Sequence, residues 1–225
     1  THSYSSAASD VYKRQSQLNR SKLMDTPINV FSEWAQNGKD EGMERNHYNS
    51  VMKMVDFACK GLSEYSFIDA GCGNGWVIRH LSDDAKCSLA IGVDGSSNMI
   101  NKAKRLDNKN QYYCEDLLNW IPLEKVDIVH SMEVFYYFED PALLIDHITK
   151  NWIKKEGRLI MGIDFYLENK ASHSWPQECC ITIMKLHSEK EWKGFFEKAG
   201  LKDVKSWRNG QDKEWGGTLV VTGIN

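Results

Sequence analysis

Apolar positions along the chain follow two rhythms, one helical and one extended, and these alternate from end to end. From Asp40 to Leu62, the residues Met43, Val51, Met54, Val55, Ala58 and Leu62 recur at helical spacing, and Gly61 stands where a helix would stop. Tyr65 to Ala70 is a short apolar run that ends in a glycine cluster, after which Trp76, Val77, Ile78 and Leu81 resume helical spacing. That sequence of signals predicts strand, tight turn and helix. Leu89 to Val93 predicts a second buried strand. Ser96 or Ser97 can cap the next helix, whose inner face is Met99, Ile100, Ala103 and Leu106. Gln111–Cys114 and Val126–Ser131 read as further strands, and Asp140-Pro141 opens a helix carrying Leu144, Ile145, Ile148 and Trp152 on one face. A turn at Glu156-Gly157 precedes an expected strand from Arg158 to Phe165. Ser188 to Glu191 is a capping box for a helix that turns Trp192, Phe195, Phe196 and Ala199 inward and ends at Gly200. The tail reads as two antiparallel strands, through Val204, Ser206 and Arg208 and from Gly217 to Thr222. Strands alternating with helices predict an α/β fold with a mainly parallel sheet covered on both faces.

Composition narrows the function classes. The 225 residues are 41% hydrophobic, enough for one sizeable core, and the formal net charge of −3 leaves no field for a polyanion, so nucleic acid is not an expected partner. No apolar run reaches the length of a membrane span, and no leader pattern opens the chain; a cytoplasmic protein without a membrane partner is expected. Six cysteines, at 59, 72, 87, 114, 179 and 180, show no zinc-like spacing and suggest neither a metal site nor a disulfide framework. The segment Asp10-Val-Tyr-Lys-Arg-Gln15 is what one frame of a common transposon-end sequencing adaptor would encode. Residues 1–23 are therefore read as a disordered or artefactual extension. Residues 24–225 are read as a single domain whose residues 24–62 form a helical cap.

In an open parallel sheet, ligands bind outside the carboxyl ends of the strands, so the first strand-to-helix turn is the place to look for chemistry. That turn is Asp69-Ala-Gly-Cys-Gly-Asn-Gly75. Glycines at 71, 73 and 75 allow positive φ and let a ligand lie against the main chain. Asp94 ends the second strand nineteen residues after Gly75, placed to accept hydrogen bonds from ribose hydroxyls. The third glycine follows the second by only two residues, which fits a nicotinamide-dependent oxidoreductase less well.

These residues resemble the class I S-adenosylmethionine-dependent methyltransferases, in particular the small-molecule branch often labelled methyltransferase type 11. Phe67–Gly75 is similar to the first motif of that family, Ile91–Ile100 to its second, Tyr113–Leu117 to its third and Val126–Val134 to its fourth, with Glu156–Ile160 similar to the strand that follows. The resemblance implies a Rossmann-like sheet of order 3-2-1-4-5-7-6 with the last strand antiparallel, and S-adenosylmethionine as cofactor. It places Gly71 and Gly73 against the methionine part, Asp69 near its amino group and Asp94 on the ribose. Gly95 and Ser96 fall by the adenine, with Asp116 on its amino group and Leu117 over the ring. Cys72, Gly75, Trp76, Met99 and Ser131 complete the candidate cofactor set. Ser131-Met-Glu-Val134 stands where the amino-directed nucleic-acid members carry a Pro-Pro-aromatic signature, which disfavours a nucleobase amine. The implied activity is methyl transfer to oxygen, nitrogen or sulfur of a small metabolite; a non-catalytic cofactor-binding module is the other reading.

The acceptor side is less legible, because alignment of an acceptor with the cofactor needs no fixed catalytic motif. His47 shares the inner helix face with Met43 and Val51, and either core packing or a place at the cofactor mouth explains it. Glu133, Tyr136 and Tyr137 follow the fourth strand, Asp164 and Tyr166 the fifth, and His173 lies in the polar loop beyond. Trp34 and Tyr48 can help close the site or simply pack, and Trp175, flanked by polar residues, is hard to explain as core.

Overall fold

The computed structural model describes residues 23–225. The adaptor-like segment therefore lies outside the described residues. The sheet consists of β1 (Tyr65–Ala70), β2 (Cys87–Asp94), β3 (Gln111–Cys114), β4 (Val126–Met132), β5 (Ile153–Ile163), β6 (Lys202–Asn209) and β7 (Thr218–Ile224). Their order is 3-2-1-4-5-7-6, with β7 antiparallel to both β5 and β6. Helices are α1 (Pro27–Asn37), α2 (Glu41–Cys59), α3 (Trp76–Leu81), α4 (Ser97–Leu106), α5 (Pro141–Asn151), α6 (Trp175–Glu178) and α7 (Glu189–Lys198), with single 3-10 turns at Phe135–Tyr137 and Lys170–Ser172.

Alternation along the strands builds two cores. Phe67, Tyr112, Ile128, Ile160 and Val220 face α2, α3 and α4, while their neighbours Ile68, Val129, Leu159, Met161, Leu219 and Val221 face α5 and α7. Every residue of β1 is buried, as a central parallel strand requires. Among the described residues no helix is long and apolar enough to cross a membrane.

Capping signals act where the sequence places them. Ser96 rather than Ser97 caps α4, through Met99 N–H, Asp140 caps α5 ahead of Pro141, and both halves of the Ser188/Glu191 capping box form. Two boundaries differ from expectation. The cap holds two helices, because Gly38 at φ 78° breaks the chain between α1 and α2, and Thr26 with Pro27 opens α1 in its own right. The pair Glu156-Gly157 is not a turn before β5 but a bulge within it. Glu156 takes φ 64°, the register against β4 slips between Val126 and Ile128, and a Cβ at Gly157 would lie 2.9 Å from the Asp127 carbonyl oxygen. Trp175 finds its partner in Trp215, stacked at 6.0 Å.

Candidate active site

At the carboxyl ends of β1 and β2 the chain makes its tightest turns. Gly71, Gly73 and Gly75 all have positive φ, but they serve different ends. A Cβ on Gly71 would lie 2.2 Å from Val134 Cγ2 and one on Gly75 2.5 Å from the Tyr112 ring, so these two let other parts of the protein close in. At Gly73 the nearest atom to such a Cβ is Met99 Sδ, 3.9 Å away, and the glycine backbone faces open space. Asp94 organises the loop: its Oδ2 accepts from Gly73 N–H at 2.9 Å and its Oδ1 from Ser96 N–H at 2.8 Å. Desolvation raises the Asp94 carboxyl above its ordinary range; the two N–H donors oppose the shift and Asp69 adds to it. Asp69 accepts from His130 Nδ1 at 2.7 Å inside the sheet.

A second tie was not visible in the sequence. Fully buried Asp40 accepts from Asn74 Nδ2 at 2.7 Å and from Lys102 Nζ at 2.8 Å, joining the start of α2 to the glycine loop and to α4.

Above the loop lies a cavity of about 320 Å³, within the range of small-molecule sites. Its cofactor-side lining includes Gly71, Gly73, Asp94, Gly95, Ser96, Met99, Asp116 and Leu117, and its other end Met132, Glu133, Val134, Tyr137 and Phe138. A smaller cavity of about 30 Å³ beside it is lined by His47, Asp69, Cys72 and Trp76, among others. Gly75 and Ser131 line neither; Ser131 Oγ is instead bonded to the Ala70 carbonyl at 2.8 Å. Asp116 reaches the cavity edge with its oxygens already accepting from Leu118 N–H and Asn119 Nδ2.

Sequence reasoning missed the roof. Thr26, Pro27, Ile28 and Phe31 of the cap and Ile183 beyond α6 close the cavity, and Ile28 Cδ1 would lie 3.1 Å from a Cβ at Gly95. The Thr26-Pro27 helix start was the available signal for this segment. A parallel bridge joins Asp25 to Ile181, with Asp25 N–H on the Cys180 carbonyl and Thr182 N–H on the Asp25 carbonyl, each at 2.9 Å.

The acceptor candidates separate into two groups. His47, Glu133, Tyr136 and Asp164 meet at one wall: His47 Nε2 is 3.6 Å from Asp164 Oδ2, Glu133 accepts from the Asp164 N–H, and the Tyr136 hydroxyl donates to Glu133 at 2.7 Å. Burial, reinforced by the charge of Asp164, pushes the Glu133 carboxyl up to about 8. His47 is raised as well, the pull of Asp164 and Glu133 outweighing its desolvation. Glu133 holds φ 61°, a left-handed conformation that costs a non-glycine residue about 1–3 kcal/mol. Tyr166 and His173 lie elsewhere: the Tyr166 hydroxyl donates to the Gly216 carbonyl at 2.7 Å, and half-buried His173 bonds the Leu167 carbonyl at 3.2 Å. Trp34 packs edge-on against Phe31 beneath Lys39, and Tyr48 packs against Trp76 and His80.

A seven-stranded sheet of this order with β7 reversed, a glycine loop after β1 and an acid at the end of β2 together define the class I S-adenosylmethionine-dependent methyltransferases. The site fits that cofactor on its own terms: an open main-chain surface at Gly73, the Asp94 carboxylate, and an apolar wall at Met99 and Leu117. The chain belongs to the methyltransferase domain family, whose model matches residues 14–206. A trans-aconitate 2-methyltransferase of Agrobacterium fabrum is 31% identical over 81 residues, 36% of this chain and 31% of that protein. A malonyl-[acyl-carrier protein] O-methyltransferase of Bacillus anthracis is 26% identical over 108 residues, 47% of this chain and 40% of that protein. The chain thus spans less than half the length of these curated relatives. Among solved structures, the complex between the Haloferax volcanii Trm112 methyltransferase activator and a methyltransferase contains a similar chain, with TM-score 0.72 and 26% identity over 86% of this chain and 96% of that one. A Thermotoga maritima S-adenosylmethionine-dependent methyltransferase shares the fold at TM-score 0.66 and 17% identity, over 88% of this chain and 98% of that one.

Proposed function

We propose that this chain transfers a methyl group from S-adenosylmethionine to an oxygen, nitrogen or sulfur atom of a small molecule seated at the Glu133, Tyr137 and Phe138 end of the cavity. The observation that carries this reading is continuity: one cavity runs from Gly73 and Asp94 to Glu133 and Tyr137, so that the cofactor side and the acceptor side open into the same space. Bound S-adenosylmethionine supplies an already electrophilic methyl group, which leaves alignment as the task of the protein. In this reading Asp94 accepts from the ribose hydroxyls, Gly71 and Gly73 give main-chain contact, and the second oxygen of Asp69 accepts from the amino group. Met99 and Leu117 sandwich the adenine beside Gly95 and Ser96. The acceptor-side groups are Glu133 on the cavity wall and Tyr137, with Phe31, Phe138 and Ile183 excluding water.

Calorimetric titration with S-adenosylmethionine, S-adenosylhomocysteine and NAD in parallel tests the reading. Micromolar binding of both sulfur compounds and none of NAD is expected; failure of both would overturn it. Release of S-adenosylhomocysteine in the presence of an acceptor panel then distinguishes an enzyme from a binding module. One arm is run with a Trm112-type activator, because the Haloferax volcanii methyltransferase is in complex with one.

A further inference from the structure

Three side chains from separate elements converge: His47 from α2, Glu133 after β4 and Asp164 after β5. One ligating atom of each lies within 4.8 Å of the others. The imidazole is fixed in a telling way. Its Nδ1 lies 2.9 Å from the Met43 carbonyl oxygen, which can only accept, so Nδ1 carries the hydrogen. Its Nε2 then faces Asp164 Oδ2 at 3.6 Å, too far for a hydrogen bond. A histidine anchored through one nitrogen to a main-chain carbonyl, with the other nitrogen turned to carboxylates, has the orientation that metal-ligating histidines take.

Asp164 gives an independent sign. It is only 6% exposed, and its Oδ1 is buried without any hydrogen-bond partner. Among the described residues no lysine or arginine forms an ion pair with Glu133 or Asp164; His47 alone approaches. Glu133 accepts one hydrogen bond on each oxygen, from Asp164 N–H and from Tyr136 OH, which fixes its carboxylate and leaves further lone pairs free. Two buried carboxyl groups and an imidazole nitrogen free of hydrogen bonds bring three ligating atoms together, and a divalent cation can hold them by displacing their protons.

We propose that His47, Glu133 and Asp164 bind a divalent metal ion through one imidazole nitrogen and two carboxylates. A mixed nitrogen and oxygen set suits Mn²⁺, Fe²⁺, Co²⁺ or Zn²⁺ better than Mg²⁺ or Ca²⁺, which take oxygen ligands. Glu133 lines the large cavity, so an ion on it can complete its shell with an oxygen or nitrogen of the acceptor. The proposal stands apart from the methyl-transfer reading, because its readout is the ion itself.

The test is titration of the chelator-stripped full chain with Mn²⁺, followed by electron paramagnetic resonance, and with Zn²⁺ in competition with a chromophoric chelator. One site per chain is expected, weakened at least about tenfold in both His47→Gln and Asp164→Asn. Cys179→Ser/Cys180→Ser is expected to keep it, since those thiols are the competing zinc ligands. Thermal unfolding of the metal-free chain reports that each variant is folded; should Asp164→Asn fail to fold, His47→Gln carries the comparison. Absence of stoichiometric binding, binding that survives the ligand substitutions, or binding lost with the two cysteines would each overturn the proposal.

Discussion

Replacing Asp94 with alanine is the sharpest test of the cofactor geometry. The carboxylate accepts from Gly73 N–H and Ser96 N–H, at 2.9 and 2.8 Å, and borders the cavity where two ribose hydroxyls are assigned. A hydrogen bond to a charged acceptor is worth about 1.5–3 kcal/mol net, and part of the loss falls on the free protein through the two N–H donors. Affinity for S-adenosylhomocysteine should therefore fall by about 1–3 kcal/mol, or about 5- to 150-fold. Calorimetry on wild type and Asp94→Ala measures this, with thermal unfolding as the folding control. Loop loosening and ribose contact are separated by repeating the pair with a ligand that lacks the 2′-hydroxyl. That ligand should bind the wild type more weakly, while the variant should distinguish the two ligands less. An affinity unchanged within about twofold in a folded Asp94→Ala chain, or equal discrimination by both proteins, would refute the assignment.

Further outcomes follow from the same geometry. Gly71→Ala combines a left-handed backbone with a Cβ 2.2 Å from Val134 Cγ2, and should destabilise the fold by about 2–5 kcal/mol in urea unfolding; adding Val134→Ala should recover the steric part only. Lys102→Met leaves the carboxylate of Asp40 buried beside Asn74 without its cation, with an expected loss of about 3 kcal/mol and weaker S-adenosylhomocysteine binding; an unchanged urea midpoint would break that link. The Asp127 carboxyl titrates below its ordinary range, its desolvation outweighed by Ser66 and Lys154. Its contribution is present above the unfolded value of about 4 and is lost as pH falls through the lower folded value. The gap in urea midpoint between wild type and Asp127→Asn should therefore be wider at pH 7 than at pH 3.

What could be read before folding was local. The glycine loop, Asp94, the Ser188 capping box and the strand order follow from spacing and resemblance, because each rests on neighbours in the chain or on a repeated unit. The bulge at Glu156-Gly157 defeated the same reasoning: a left-handed residue followed by glycine marks a turn or a bulge alike, and only the ladder to β4 decides. Tyr166 and His173 were placed in the site by their nearness to β5, yet main-chain carbonyls hold them away from it. The meeting of His47, Glu133 and Asp164 spans 117 residues and had no spacing to betray it. Phe31 and Ile183 escaped for the same reason, since the roof exists only once the cap lies over the sheet.

The bridge between Asp25 and Ile181 has a consequence for binding. Ile28, three residues beyond Asp25, lies over Gly95, Phe31 meets the Tyr137 ring at 5.2 Å, and Ile183, two residues beyond Ile181, lines the same cavity. Neither segment can lift without pulling on the other. On the proposed reading, a cofactor beside Gly95 settles Ile28, and through Asp25 the bridge steadies the strip that carries Ile183. If the chain transfers a methyl group as proposed, cofactor bound first should tighten acceptor binding, and breaking the bridge with Thr182→Pro, which removes the N–H bonded to the Asp25 carbonyl, should weaken that coupling.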